Sequence, residues 1–139
     1  MAAPRILQEA GDRDRIVIPV GTSTNLEKGD LLSYESGAAV LVDAATEDAT
    51  FIGYAVNQVS ADFSEPDRIV AGLKGIVEYD CTSAAYNVAD GLKYADENKV
   101  VADGGANTIA HAAETKGTTT RLAVLIDVLA LGKLFAVDA

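Results

Sequence analysis

Lys28-Gly29-Asp30-Leu31-Leu32-Ser33-Tyr34, then Val40-Leu41-Val42-Asp43, then Ile52-Gly53-Tyr54-Ala55 decides the fold, because the pattern recurs further along the chain. The second copy reads Ala89-Asp90-Gly91-Leu92-Lys93-Tyr94, then Val100-Val101-Ala102-Asp103, then Ile109-Ala110-His111-Ala112. Each copy has an acidic-glycine turn, a short strand ending in tyrosine, a second short strand and a third strand opened by isoleucine. Glycine supplies a positive φ and aspartate bonds its own backbone nearby, which accounts for the turns. Apolar, β-branched and aromatic residues between turn signals account for the strands. The second copy carries Ala110 where the first has Gly53, and Asp90-Gly91 inverts the order of Gly29-Asp30. No catalytic group sits at equivalent points of both copies. The chain therefore reads as an all-β scaffold whose function lies in its surfaces.

Outward from the repeats, residues 16–20 (Ile-Val-Ile-Pro-Val) form a strand, and Pro19 puts it at an edge or a strand end. Glu35-Ser36-Gly37 and Asp96-Glu97-Asn98 each turn a hairpin. Gly53 marks a bulge or a close backbone approach. Residues 69–81, interrupted by Gly72 and Gly75, form either a bent strand or two strands with a tight corner. Residues 83–88 have the makings of a single helical turn. Residues 119–131 are the longest strand candidate, and residues 133–137 a last short strand. Two parts follow: an extended N-terminal arm over residues 1–15, and a single β domain over 16–139 with two related hairpin units.

A chain of 139 residues is most simply one domain and can bury a core without staples. Its apolar share of 49% and mean hydropathy of +0.15 exclude a disordered class. Aromatics are 6% and Trp is absent, which suits closely packed thin sheets better than a bulky aromatic pocket. The net charge of −10 argues against direct nucleic-acid binding, which needs clustered Lys and Arg. An acidic surface serves solubility or meets a basic partner, and net charge alone does not choose between them. With Cys81 as the single cysteine there is no intrachain disulfide. No run is long and apolar enough to span a bilayer, and the first residues lack a secretory stretch. A membrane role is not expected, and synthesis in the cytoplasm is.

Chemistry finds little purchase. One histidine and one cysteine provide no zinc ligand set. The acidic groups at 12–14 and 62–67 lack the spacing of a calcium loop. His111 has no nucleophile elbow to serve, and it aligns with Tyr54 in the repeat. No phosphate loop occurs. The expectation is no enzyme, no cofactor and no metal.

The order of segments resembles the small capsid decoration (cement) proteins of tailed phages, the DUF2190-like group. The motifs are Lys28-Gly29-Asp30-Leu31-Leu32, Ile52-Gly53-Tyr54-Ala55-Val56-Asn57 and Val70-Ala71-Gly72-Leu73-Lys74-Gly75-Ile76-Val77. Asp90-Gly91-Leu92-Lys93-Tyr94 and Thr120-Arg121-Leu122-Ala123-Val124-Leu125-Ile126 complete them. Together they span about residues 16–131. The resemblance implies a small β-barrel or β-tulip-like domain that forms a homotrimer. Such trimers sit on the outer capsid surface of the virion, bind the major capsid protein and clamp neighbouring capsomers. Avidity over many copies makes modest single contacts sufficient for this task.

Shell contact is assigned to the arm, at Pro4, Arg5, Ile6, Leu7 and Gln8, with Arg13 and Arg15. The arm joins apolar groups to a local positive cluster in an otherwise acidic chain. It reads either as a frayed terminus or as a segment that orders on a partner. In the second case it is expected to be removable without unfolding the domain. Two other classes stand beside this one. A small-molecule or carbohydrate-binding β-barrel module would have a ligand-sized cavity. A small acid-based enzyme would cluster carboxylates in one cleft.

Overall fold

The computed structural model describes residues 3–20, 25–44, 50–59, 67–102 and 105–131. Its strands are β1 (Arg5–Gln8), β2 (Arg15–Val20), β3 (Leu31–Glu35), β4 (Ala38–Leu41), β5 (Phe51–Ala55) and β6 (Asp67–Gly72). They continue with β7 (Lys74–Tyr86), β8 (Gly91–Asp96), β9 (Lys99–Ala102), β10 (Ala110–Ala112) and β11 (Lys116–Asp127). A single helical turn, α1 (Val128–Leu131), follows. The all-β class expected from the repeats is the class observed.

The strands form two sheets. One has the order β1-β7-β11-β10-β8-β9, and β9 returns to pair in parallel with β7 at Asp80↔Lys99 and Cys81↔Val100. That pairing closes β7, β11, β10, β8 and β9 into a five-stranded barrel, which removes its sheet edges. β1 continues the line of β9 along the same edge of β7, with Arg5↔Glu78 and Ile6↔Val77. The other sheet has the order β2-β6-β5-β3-β4, and Pro19 lies in its terminal strand β2. Residues 69–81 resolve into two strands, β6 and β7, with the corner at Leu73.

The interior follows from alternation. In the barrel, Val77, Tyr79, Leu92, Val100, Leu122, Val124 and Ile126 point inward and are buried. A second core of Leu32, Ala39, Ile52, Ala55 and Ile69 fills the other sheet. Leu31, Val42, Phe51 and Tyr54 belong to the barrel's cluster, so β3 and β5 are covered on both faces.

The two repeats are real structural equivalents. Leu32 pairs with Leu41 and Gly53, and Leu92 pairs with Ala102 and Ala110. Leu31 lies opposite Tyr54, and Gly91 lies opposite His111, so the expected Tyr54–His111 correspondence holds. The turns correct the sequence alignment by one position. Asp30 accepts the Glu27 N–H at 2.9 Å, and Asp90 accepts the Asn87 N–H at 2.9 Å. Gly29 at φ 88° therefore corresponds to Ala89 at φ 75°, and no inversion exists. Alanine occupies a left-handed position that favours glycine.

Two further details differ from the sequence reading, and one lies beyond what the structure describes. Residues 83–86 continue β7 and do not turn into a helix, because β11 pairs with them at Lys116↔Tyr86 and Thr119↔Ala84. β11 stops at Asp127, where the chain enters α1. The strand expected at 133–137 lies outside the described residues.

Candidate functional site

The N-terminal residues singled out by sequence are strapped onto the barrel. β1 has too few apolar groups to dock by burial alone, and its attachment is partly ionic. Ile6 is half-buried on the barrel core. Arg5 Nη2 approaches Glu78 Oε2 at 3.5 Å. The same Glu78 accepts Arg121 Nε at 3.0 Å, and Arg121 Nη1 reaches Asp80 Oδ1 at 3.1 Å. Arg121 Nη2 also donates to the carbonyl of Ala3. One arginine on β11 thus ties both acidic groups of β7 to the arm. Sequence reasoning quoted Arg121 but gave it no role. Its only signal was a lone cation in an apolar strand, with two acids spaced by two in another.

Pro4 packs on Gly29, where an added Cβ would lie 2.7 Å from the proline Cβ. Gln8 is in register with Ile76 across a bulge that leaves Leu7 46% exposed. Ala10 is buried, and its N–H donates to Tyr54 Oη at 2.8 Å. Arg15 turns back to donate to the Ala10 carbonyl and to Glu9 Oε1, each at 2.8 Å. Arg13 is exposed on the 3-10 turn Asp12–Asp14. Tyr54 also donates to the Lys74 carbonyl at 3.1 Å. Its ring fits because Gly72 and Gly75 carry no Cβ, which would lie within 2.5 Å and 2.3 Å of it. Removing residues 1–14 would therefore strip Tyr54 of a donor and uncover the core at Ile6 and Ala10.

Two shallow grooves flank this strap. One, of about 480 Å³, is lined by Pro4, Arg5, Ile6, Leu7, Glu9 and Lys28. It gathers four of the seven residues assigned to shell contact. Gln8, Arg13 and Arg15 are not in its lining. The other, of about 400 Å³, is lined in part by Pro4, Glu27, Asp30, Glu97 and Asn98. Here the two repeats are latched together. Asn98 Nδ2 donates to Asp30 Oδ1 at 2.8 Å, and Asn98 Oδ1 accepts the Leu31 N–H at 3.0 Å. Tyr79 Oη donates to the Gly29 carbonyl at 2.5 Å. Burial raises the Asp30 pKa, the Glu27 N–H and Asn98 oppose that, and Glu27 and Glu97 add to it.

Reactive chemistry is poorly served. Cys81 is buried inside the barrel, and that burial pushes its thiol up, away from the thiolate. His111 lies on the outer face of the same wall, between the inward residues Ala110 and Ala112. A Cys81–His111 pair does not form. Burial raises Tyr54, raises Tyr79 well above its ordinary value, and pushes Tyr86 up to about 12. Among the described residues, no group of three or more His, Cys, Asp or Glu side chains is placed to hold a metal ion. No helix of the described residues is long and apolar enough to cross a membrane.

No family model and no curated protein matches this chain. Its fold does match a crystal structure, the N base of head fiber gp8.5 in bacteriophage phi29. The likeness has a TM-score of 0.53 at 16% identity, and covers 82% of this chain and 95% of that one. At that identity the likeness is one of architecture.

Proposed function

We propose that this chain is a structural protein of a tailed-phage head, a decoration or cement protein on the outer capsid surface. In this reading it is made in the host cytoplasm, binds the major capsid protein, and associates with itself as a homotrimer. One observation carries the proposal: the fold shared, over 82% of this chain, with the base of a phage head fibre. The molecule's own physics supports it. The barrel interior is filled by side chains such as Tyr79 and Leu122, and the grooves around the strap are shallow and open. A packed scaffold with a charged, partly apolar rim is suited to holding surfaces together, and many copies make weak contacts add up.

The contact is assigned to the strap, where Arg5 and Leu7 stand exposed beside Lys28. Because the strap is part of the fold, the test uses substitutions and not truncation. Heads of the encoding phage that lack this protein are incubated with the wild type or with Arg5→Glu/Leu7→Asp, then sedimented. The wild type is expected to sediment with the heads, and the double variant to remain in solution while its melting curve shows it folded. A wild type that leaves the heads bare would overturn the decoration reading. A folded double variant that still binds would move the contact away from the strap.

A further inference from the structure

The outer wall of the barrel carries a row of side chains that are exposed or partly exposed among the described residues. The row crosses four strands in register, from Leu7 and Gln8 on β1 to Ile76 on β7, Leu125 on β11 and His111 on β10. The alternate residues of these strands, Val77, Val124, Ala110 and Ala112, face inward and are buried. The row therefore faces out. Leu7 is 46% exposed and Leu125 36%, with Ile76 and His111 partly exposed between and beside them.

Charge is arranged around this row in an unusual way for so acidic a chain. On one side lie Arg5, Arg121, Glu78 and Asp80, joined by ion pairs at 3.5, 3.0 and 3.1 Å. On the other side Lys74 lies opposite Asp127 in the β7–β11 ladder. Three cations thus stand against three anions, and the charges that flank the row on β1, β7 and β11 balance. The net charge of −10 resides elsewhere on the chain. Two copies approaching through most of their surface repel each other; through this face they do not. A basic partner would be drawn to the acidic remainder and not to a neutral apolar row.

We propose that this face binds a second copy of this chain, with Leu125 and Ile76 at the centre of the contact and the charges of β7 and β11 at its rim, while Arg5 and Leu7 on β1 lie at its border and stay open to the shell. An apolar centre with a polar rim is the usual anatomy of such contacts. Each rim row carries both signs, so a symmetry-related copy can present opposite charges to it. The proposal rests on the self-association included in the proposed function and names the surface responsible; in a homotrimer three copies of this face would meet around the threefold axis.

The test is the mass of the full chain in solution by light scattering, from micromolar concentrations to about 0.1 mM. The wild type is expected to associate. Leu125→Asp is expected to weaken association at least tenfold, and Lys74→Glu to weaken it by breaking the charge balance. Val17→Asp changes a residue that is 57% exposed on β2, in the other sheet, and is expected to associate as the wild type does. Melting curves establish that each variant is folded. A wild type that stays monomeric throughout overturns self-association as a whole. A folded Leu125→Asp or Lys74→Glu that associates as the wild type does, or a Val17→Asp that weakens it equally, overturns this face and leaves self-association standing.

Discussion

The two repeats share a backbone and differ in what covers their outer faces. In the first, Leu31 and Tyr54 point outward from their sheet and are buried against the barrel. In the second, the equivalent positions are Gly91 and His111, which are only partly buried. One unit spent its outer face on intramolecular packing, and the other kept it. A repeated β unit can thus build a scaffold with one copy and offer a surface with the other. The difference is set by a few side chains: a tyrosine long enough to reach Ala10 and Lys74, against a histidine with no such seat.

The most severe way to break the comparison is at the paired positions Gly53 and Ala110. A Cβ on Gly53 would lie 2.0 Å from the Gly72 carbonyl oxygen, on a backbone at φ 109°. Backbone strain and overpacking then act together, and Gly53→Ala is expected to cost about 4 kcal/mol. The reciprocal Ala110→Gly removes a small inward side chain and is expected to cost about 1 kcal/mol. Urea unfolding of both variants measures the contrast. Equal losses would mean that the two units do not differ in how closely neighbouring backbone crosses them.

Next in size is the outward pair. Tyr54→Phe leaves the Ala10 N–H and the Lys74 carbonyl without their shared partner, at an expected cost of about 2 kcal/mol. His111→Ala in the monomer is expected to change stability by less than about 0.5 kcal/mol. A Tyr54→Phe protein as stable as the wild type would mean that the strap does not depend on that hydroxyl.

The turns provide the third contrast, of opposite sign. Ala89 holds φ 75° where the first copy has Gly29. Ala89→Gly is expected to stabilise the protein by about 1 kcal/mol, raising the melting temperature by about 3 °C. Gly29→Ala meets both the strained φ and Pro4, and is expected to destabilise. An Ala89→Gly protein that melts no higher than the wild type would remove the strain from that turn.

These same positions show what a sequence reveals and what it withholds. The hairpins, the close approach at Gly53 and the Tyr54–His111 correspondence were legible, because turn chemistry and alternation are local. The match of Ala89 to Gly29 was not, since alanine carries no sign of a left-handed backbone. The run Ser83-Ala84-Ala85 suits a helix, and only the β11 ladder makes it strand. The docking of the arm was equally hidden. It depends on Arg121 reaching Ala3, 118 residues away, and on Ala10 finding Tyr54, and no local pattern announces such pairs. Pro4, Arg5, Ile6 and Leu7 were legible as a cluster, whereas the edge that receives them was not.

The smallest expected effect concerns the two turn aspartates and pH. Asp90 is partly buried and accepts the Asn87 N–H, while Asp30 is 7% exposed and held between the Glu27 N–H and Asn98. Burial, the leading cause, raises the folded-state pKa of Asp30 above its ordinary value of 3.8. Between those two values the folded protein binds the proton more tightly than the unfolded chain does. The stability that protonation contributes is therefore fully present below the unfolded value and is lost as pH rises through the folded one. Other carboxylates titrate in the same range, so the informative quantity is a difference. Stability of the wild type minus that of Asp30→Asn, from urea unfolding at each pH, is expected to grow as pH falls from neutral towards 3.8. The same measurement on Asp90→Asn, in the turn that lacks the Asn98 latch, is the comparison. Parallel curves for the two would mean that the latch at Asp30 is as open to solvent as its counterpart. The inequality between the repeats would then lie only in Tyr54, Gly53 and the faces they cover.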